Sequence, residues 1–214
     1  MKKEKVTTKE RGQKDARSTL WGIVLFLVLL IIDQVTKAVA DVYFSQADTP
    51  EFIPVIPGWI NLCITYNRGI SYGMGDDAPM EVKLAVIGLT AVMMIGFAIF
   101  YLKMDKRRSF MRFALVCVVA GGVGNLIDRV YYQVWDPTTL YGVRDMVDLS
   151  RFGFAVCNFA DFFIVGGAIF LVLSLLFFDR DAIFPVGKYK ALAKEQEAFE
   201  QDKKTKNKNG KQHG

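Results

Sequence analysis

Four stretches of the chain stay apolar for nearly the length of a membrane crossing: residues 20–39, 82–102, 110–127 and 159–178. A helix needs about 20 apolar residues to cross the hydrocarbon core. The pattern therefore predicts four transmembrane helices in one domain. Between the first two stretches the period changes. Pro50, Pro54 and Pro57 break any helix, and Ile60, Leu62, Ile64 and Tyr66 then alternate with Asn61, Cys63, Thr65 and Asn67. Alternation of this kind marks a half-buried strand. Residues 41–67 are thus expected to be extended, with NRGISYGMGDD as a glycine-rich loop into the second helix. Between the last two helices, residues 131–156 are aromatic and mixed, with strand-like YGVRDMVDL at 141–149. The fold class that follows is an all-α polytopic membrane protein with four transmembrane helices and a small extracytoplasmic β element. That element is assigned to residues 41–81 and 130–157, where Trp59, Tyr131, Tyr132 and Trp135 suit an interfacial belt.

Charge sets the expected orientation. The net charge of +5 is not a nucleic-acid footprint, because basic residues collect at the N-terminus (Lys2, Lys3, Lys5, Lys9, Arg11, Lys14, Arg17), in the link 103–112 (Lys106, Arg107, Arg108) and in the tail 188–211. The other two connections carry only Arg68, Arg144 and Arg151. By the positive-inside rule both termini and the middle link are cytoplasmic, in agreement with an even number of spans. The expected organisation is a basic cytoplasmic extension (1–19), a membrane domain (20–178) and a basic, disordered tail (179–214) that touches anionic lipid at most loosely. The first span also imitates a signal peptide, with basic residues, an apolar run and Ala38-Val39-Ala40. Cleavage there would discard Asp33 and Lys37 and break the match between parity and charge.

Cysteine and histidine usage narrows the chemistry. Cys63, Cys117 and Cys157 form no disulfide or zinc pattern, and the one histidine, His213, lies in the tail. Histidine-based catalysis, a Cys–His pair and histidine-held metals are therefore disfavoured.

Polar residues at the span ends carry the chemistry that remains. Asn125/Asp128 and Asn158/Asp161 are two copies of one unit, Asn followed three residues later by Asp, which places amide and carboxylate on one helix face. Ionisable groups in or beside spans are costly and mark functional candidates. Asp33 and Lys37 stand four apart and are expected to pair on one face, either as a snorkelling interfacial pair or as support for a site. Arg129 beside Asp128 is expected to keep that carboxylate charged, as a brace for helix and loop. Gly121, Gly122 and Gly124 fit close helix packing better than phosphate binding, since no Lys-Ser/Thr follows them. Asp161 has no cation among its helical neighbours (Cys157, Asn158, Ile164, Val165), which suits a general acid; a helix cap or proton relay is the alternative. Topology brings all these residues to one layer near the outer interface. A second carboxylate is needed, and the outer loops offer Asp76, Asp77, Asp136, Asp145 and Asp148, with Asp128 adjoining. The residues alone leave Asp128 and Asp148 level. A proton-coupled transporter or channel would instead need polar residues at mid-depth, where the second helix has Thr90 and little else. A third reading is a non-enzymatic membrane scaffold that binds through the β element.

At these residues the chain resembles the signal peptidase II family, four-helix bacterial aspartic proteases that process lipoproteins. DQVTK (33–37) matches the family's first block, and NRGISYG (67–73) its Asn-x-Gly-Ala-Ala-Phe-type loop. GGVGNLIDRV (121–130) matches the Gly-Asn-x-x-Asp-Arg block, MVDL (146–149) the Val-Val-Asp-Phe block and VCNFAD (156–161) the Phe-Asn-x-Ala-Asp block. Leu149 replaces the usual Phe, Ile70-Ser71 replaces Ala-Ala, and Asp148 stands closer to Asp161 than is usual. The resemblance implies a catalytic pair of Asp148 and Asp161, with Asp33, Lys37, Asn67, Gly69, Gly121, Asn125, Asp128, Arg129 and Asn158 in substrate-binding or supporting positions. It further implies a diacylglyceryl-modified prolipoprotein substrate cut just before its lipidated cysteine, near the outer leaflet of the bacterial cytoplasmic membrane. Membrane lipid is the expected surrounding partner. No cofactor, metal or nucleic acid is expected, and the chain is expected to act as a monomer.

Overall fold

The computed structural model describes residues 8–69, 74–179, 181–195 and 198, with side chains from residue 16 onward. Expectations for residues 1–7, for Ile70 to Gly73 of the loop and for most of the chain after 195 lie outside the described residues. Among the described residues, four helices are long and apolar enough to cross a membrane: Ala16–Phe44, Met80–Lys103, Ser109–Tyr131 and Phe159–Leu176. We name the full elements α1 (Thr8–Phe44), α2 (Met80–Lys103), α3 (Ser109–Tyr131) and α4 (Phe159–Leu176). The 37 residues of α1 span about 55 Å at 1.5 Å per residue, well beyond a hydrocarbon core of about 30 Å. Part of the predicted N-terminal extension is thus helix continuous with the first span. At its other end α1 runs to Phe44, past the predicted start of extended chain at residue 41.

The β element is a three-stranded antiparallel sheet, in the order β1 (Ile53–Ile56), β2 (Ile60–Asn67) and β3 (Val143–Asp148). β2 is the strand expected from its period-two pattern. β1 contains Pro54 and lies at an edge, where a missing N–H costs the ladder nothing. β3 pairs with β2 from Asn67↔Val143 to Asn61↔Asp148, and Val147 bridges to Cys157 just before α4. Gly142 makes this possible, since a Cβ there would strike the backbone of Asn67.

α3 is the central helix, and its glycines set the contacts. A Cβ on Gly121 would overlap the Ala160 carbonyl of α4, one on Gly122 the Met94 sulfur of α2, and one on Gly124 the Asp33 carboxylate of α1. Small residues let helix backbones approach closely in lipid, where water supplies no hydrophobic drive between helices. The outward surfaces of α1, α2 and α4 remain apolar and exposed, as lipid-facing surfaces should. α3 ends where Gln133 takes a left-handed φ of 49°, which turns the chain towards β3. The first helix is integral to the bundle, because the Asp33 carboxylate accepts the Ala160 N–H of α4 at 2.9 Å. That contact argues against a discarded leader.

Candidate active site

The last turns of α1, the last turns of α3 and the first turn of α4 converge at the bundle end that carries the sheet. Asn158 caps α4: its side-chain oxygen accepts the Asp161 N–H at 3.1 Å, and Asp161 Oδ2 accepts the Asn158 N–H at 3.0 Å. This reciprocal box satisfies two N–H groups that a helix start leaves open. Asp161 is therefore a helix-capping residue, and its second oxygen accepts a 2.8 Å hydrogen bond from Asn125 Nδ2.

A buried charge network stands behind Asn125. Lys37 Nζ donates to Asn125 Oδ1 at 2.8 Å and lies 3.0 Å from Asp33 and 3.5 Å from Asp128. Lys37, Asp33 and Asp128 are all fully buried, so the predicted i,i+4 pair is internal support and does not snorkel. Gln34 adds bonds to Asp33 at 3.0 Å and to the Gly124 carbonyl at 3.1 Å. Asp128 is a brace, and a second cation joins the expected Arg129 there. Arg144 of β3 pairs with it directly at 2.8 Å. Arg129 lines the cavity described below and interacts electrostatically with Asp161 first, then Asp145 and Asp128.

The carboxylate that faces Asp161 is Asp145. Three backbone bonds tie β3 to Cys157, including Cys157 N–H to the Val147 carbonyl at 2.9 Å and Val147 N–H to the Cys157 carbonyl at 2.8 Å. This clamp sets Asp145 beside the α4 cap, where Asn158 Nδ2 donates to its Oδ1 at 2.6 Å. The Asn67 side chain also bonds Asp145, and its own oxygen accepts the Gly69 N–H at 2.9 Å. Gly69 is buried at the loop entrance. Asp145 is only 4% exposed. Burial, and then the charge of Asp161, push its carboxyl up to about 7.

Asp148 is not brought to this place, and its expected partnership with Asp161 is corrected. It sits three residues further along β3, about 10 Å at strand rise. There its oxygens accept the Ser150 N–H at 2.9 Å and the Asn61 amide at 3.2 Å. The Ser150 backbone bond is the main reason that this carboxyl lies below its ordinary value. Asp148 is a turn-capping, ionised group. Of the other loop acids, Asp76 pairs with Arg68 at 3.6 Å and Asp136 caps Thr138 at 2.8 Å. Asp145 is one of the loop acids that the sequence offers as second carboxylate, and Arg144, Gln34 and Cys157, outside the sequence-based set, complete the site.

Asp145 and Asp161 share the wall of a cavity of about 590 Å³, with Asn67, Asn125 and Arg129 as its other polar side chains apart from Thr90 and Cys157. Met93, Met94 and Phe97 of α2, Val118 of α3 and Phe162 and Val165 of α4 make the rest largely apolar. The Cys157 thiol is pushed up to about 12 by burial and by Asp161 and Asp145, so it is no nucleophile at neutral pH. Thr90, the mid-depth polar residue of α2, donates to the Val86 carbonyl at 2.8 Å within its own helix. Among the described residues, no three His, Cys, Asp or Glu side chains gather in a way that could hold a metal ion.

Comparison with known proteins identifies this architecture. The family described as signal peptidase (SPase) II matches residues 25–177. A lipoprotein signal peptidase of Fusobacterium nucleatum is 35% identical over 160 residues, 74% of this chain and 87% of that protein. One from Bifidobacterium longum subsp. infantis is 34% identical over 170 residues, covering 79% and 85% of the two chains. Among solved structures, a bacterial membrane enzyme determined by the in meso method at 2.3 Å resolution superposes with a TM-score of 0.58 and 28% identity, over 72% of this chain and 87% of that one. The matched span runs from α1 to α4 and takes in the capping box, the Lys37 network and β3, and on that match the chain belongs to the signal peptidase II family of proteases.

Proposed function

We propose that the chain is an aspartic endopeptidase that removes signal peptides from diacylglyceryl-modified prolipoproteins, cutting before the lipidated cysteine, with Asp145 and Asp161 as its water-activating pair. The family supports prolipoprotein processing as the activity. The observation that carries the proposed pair is the burial of Asp145 in one cavity wall with Asp161. Two carboxyls so placed cannot both ionise cheaply and hold one proton between them near neutral pH. The ionised member takes a proton from water, whose oxygen attacks the scissile carbonyl carbon. The protonated member donates to the carbonyl oxygen. The tetrahedral species then collapses as the C–N bond breaks, and a proton passes to the leaving nitrogen. Asn125 and the α4 cap hold both Asp161 oxygens in place for this exchange, while Asn158 and Asn67 hold Asp145.

The apolar walls suit acyl chains and an apolar signal peptide, and Arg129, Asn67 and Gly69 stand where a peptide backbone would pass. The termini, the α2–α3 link and the basic tail are assigned to the cytoplasm, with the site near the outer leaflet, and the enzyme acts as a monomer in membrane lipid. Convergence of the polar residues at one end of the bundle favours this reading over a transport path. The test is cleavage by purified protein in detergent of a lipid-modified precursor and of the same precursor without its diacylglyceryl group. Cleavage of the modified form alone, with the lipidated cysteine as the new N-terminus, is expected. Equal cutting of both, or of neither, contradicts the assignment.

A further inference from the structure

Beyond α4 the chain does not leave the bundle. The N–H groups of Ile183, Phe184 and Val186 donate to the carbonyls of Leu175, Leu176 and Phe177 at 3.1, 2.8 and 3.2 Å. Residues 182–186 thereby fold over the last turn of α4 and satisfy carbonyls that a helix end leaves open. The Phe184 ring lies 6.5 Å from that of Phe177, and the Tyr189 ring 6.4 Å from that of Phe178. From the α2–α3 link, Arg108 pairs with Asp179 at 3.5 Å and with Asp181. A helical stretch follows at 188–195, where disorder was expected.

This anchored segment presents its apolar side chains outward. Ile183 is 67% exposed, Phe184 62% and Leu192 45%, and Lys188, Lys190 and Lys194 are exposed among them. Its place in the fold says what covers it. The 18 residues of α4 span about 27 Å, close to the thickness of a hydrocarbon core, so the fold-back lies at headgroup level. A short segment with apolar side chains beside lysines is the composition of an interfacial anchor on anionic lipid.

We propose that residues 182–194 form an interfacial foot, seating Ile183, Phe184 and Leu192 at the headgroup–acyl boundary and Lys188, Lys190 and Lys194 against the phosphates of anionic phospholipids. The foot lies beyond the matched family span, which ends at residue 177. The leaflet concerned is the cytoplasmic one, and only that clause rests on the proposed topology.

The test uses the full chain in lipid nanodiscs, with Cys63, Cys117 and Cys157 replaced by alanine and one cysteine at 184 or 192 carrying an environment-sensitive fluorophore. Discs of phosphatidylcholine alone are compared with discs containing phosphatidylglycerol, using aqueous iodide and lipid-borne quenchers. Phosphatidylglycerol is expected to lower iodide access and raise lipid quenching at both positions. Each lysine changed to glutamate should reduce the inserted-to-lifted ratio by about fivefold or more in the anionic discs, with the bundle's melting unchanged. Full iodide access in both kinds of disc overturns the proposal, and so does lipid quenching that ignores headgroup charge. Discs expose both faces, so orientation does not enter this reading. It is measured separately by thiol labelling in intact cells.

Discussion

Replacing Lys37 by methionine keeps the side chain's apolar stem and removes the ammonium that sits 3.0 Å from Asp33, 3.5 Å from Asp128 and 2.8 Å from Asn125 Oδ1. Removing one partner of a buried pair leaves the other charge uncompensated, typically at a cost of about 3–5 kcal/mol. Here Asp128 keeps Arg144 at 2.8 Å, whereas Asp33 keeps hydrogen bonds from Gln34 and Ala160. Most of the loss thus falls on Asp33, and the lower end of the range, about 3 kcal/mol, is expected. At roughly 2–4 °C per kcal/mol for a chain of this size, Tm should fall by about 6–12 °C. Activity should fall further than stability, because Asn125 loses its anchor and can turn away from Asp161. That change acts on kcat more than on KM. The assay is thermal unfolding in detergent followed by tryptophan fluorescence, with cleavage of a lipid-modified precursor measured well below Tm. The Asp33→Asn/Lys37→Met double variant removes both charges and should recover more than half of the lost Tm. A Lys37→Met protein that melts with wild type, or a double variant worse than the single, refutes the reasoning.

Gly121→Val drives a side chain into the Ala160 carbonyl and Ile164, so α3 and α4 must part; folded yield and activity should fall together, and a variant of normal yield and turnover would show that this contact is dispensable. Asp145 is held up at about 7 against an ordinary 3.8, so the folded state keeps a proton that the unfolded chain releases. Its stabilising contribution is present below 3.8 and lost as pH rises towards about 7, a slope that Asp145→Asn should flatten in a melting series across pH. The same ionisation should make wild-type kcat/KM fall as pH passes above about 7, and a profile flat through that region would count against the shared proton. Single cysteines at Gln46 and Thr138 should react with a membrane-impermeant thiol reagent in intact cells, and those at Ser109 and Gln201 only after permeabilisation; labelling at Ser109 in intact cells would invert α3.

The architecture was readable because lipid imposes length and strands impose period. The apolar runs mark the four spans, and the alternation through Ile60 to Asn67 marks β2. Asp33 with Lys37, and Asn158 with Asp161, were readable because helix spacing alone brings each pair together. Asp145 was not singled out. VRDM and MVDL both read as an apolar residue, a spacer, Asp and an apolar residue, so a short motif fits at either register. The choice is made by the Val147–Cys157 bridge, a contact across a loop that no local pattern announces. The short separation of Asp148 from Asp161 was the available warning, and Asp145 stands three residues further from Asp161. Arg144 was hidden for a similar reason, since its partners Asp128 and Gln34 lie in helices distant along the chain. Past α4, lysine-rich composition argued for a solvated tail, while the backbone bonds from 183–186 to the α4 carbonyls show an anchored one.

Which aspartate of β3 joins Asp161 decides the catalytic assignment. Asp145→Asn, Asp148→Asn and Asp161→Asn should be purified in parallel and compared in single-turnover cleavage of a lipid-modified precursor. Asparagine preserves shape but cannot carry the shared proton, so the Asp145 and Asp161 variants should each lose about 10²–10⁴-fold in rate, and the variant with both changes should be no worse than the poorer single one. Asp148→Asn should stay within about threefold of wild type, because the amide oxygen can still cap Ser150. Loss of cleavage in Asp148→Asn with turnover retained in Asp145→Asn would contradict the account at its centre.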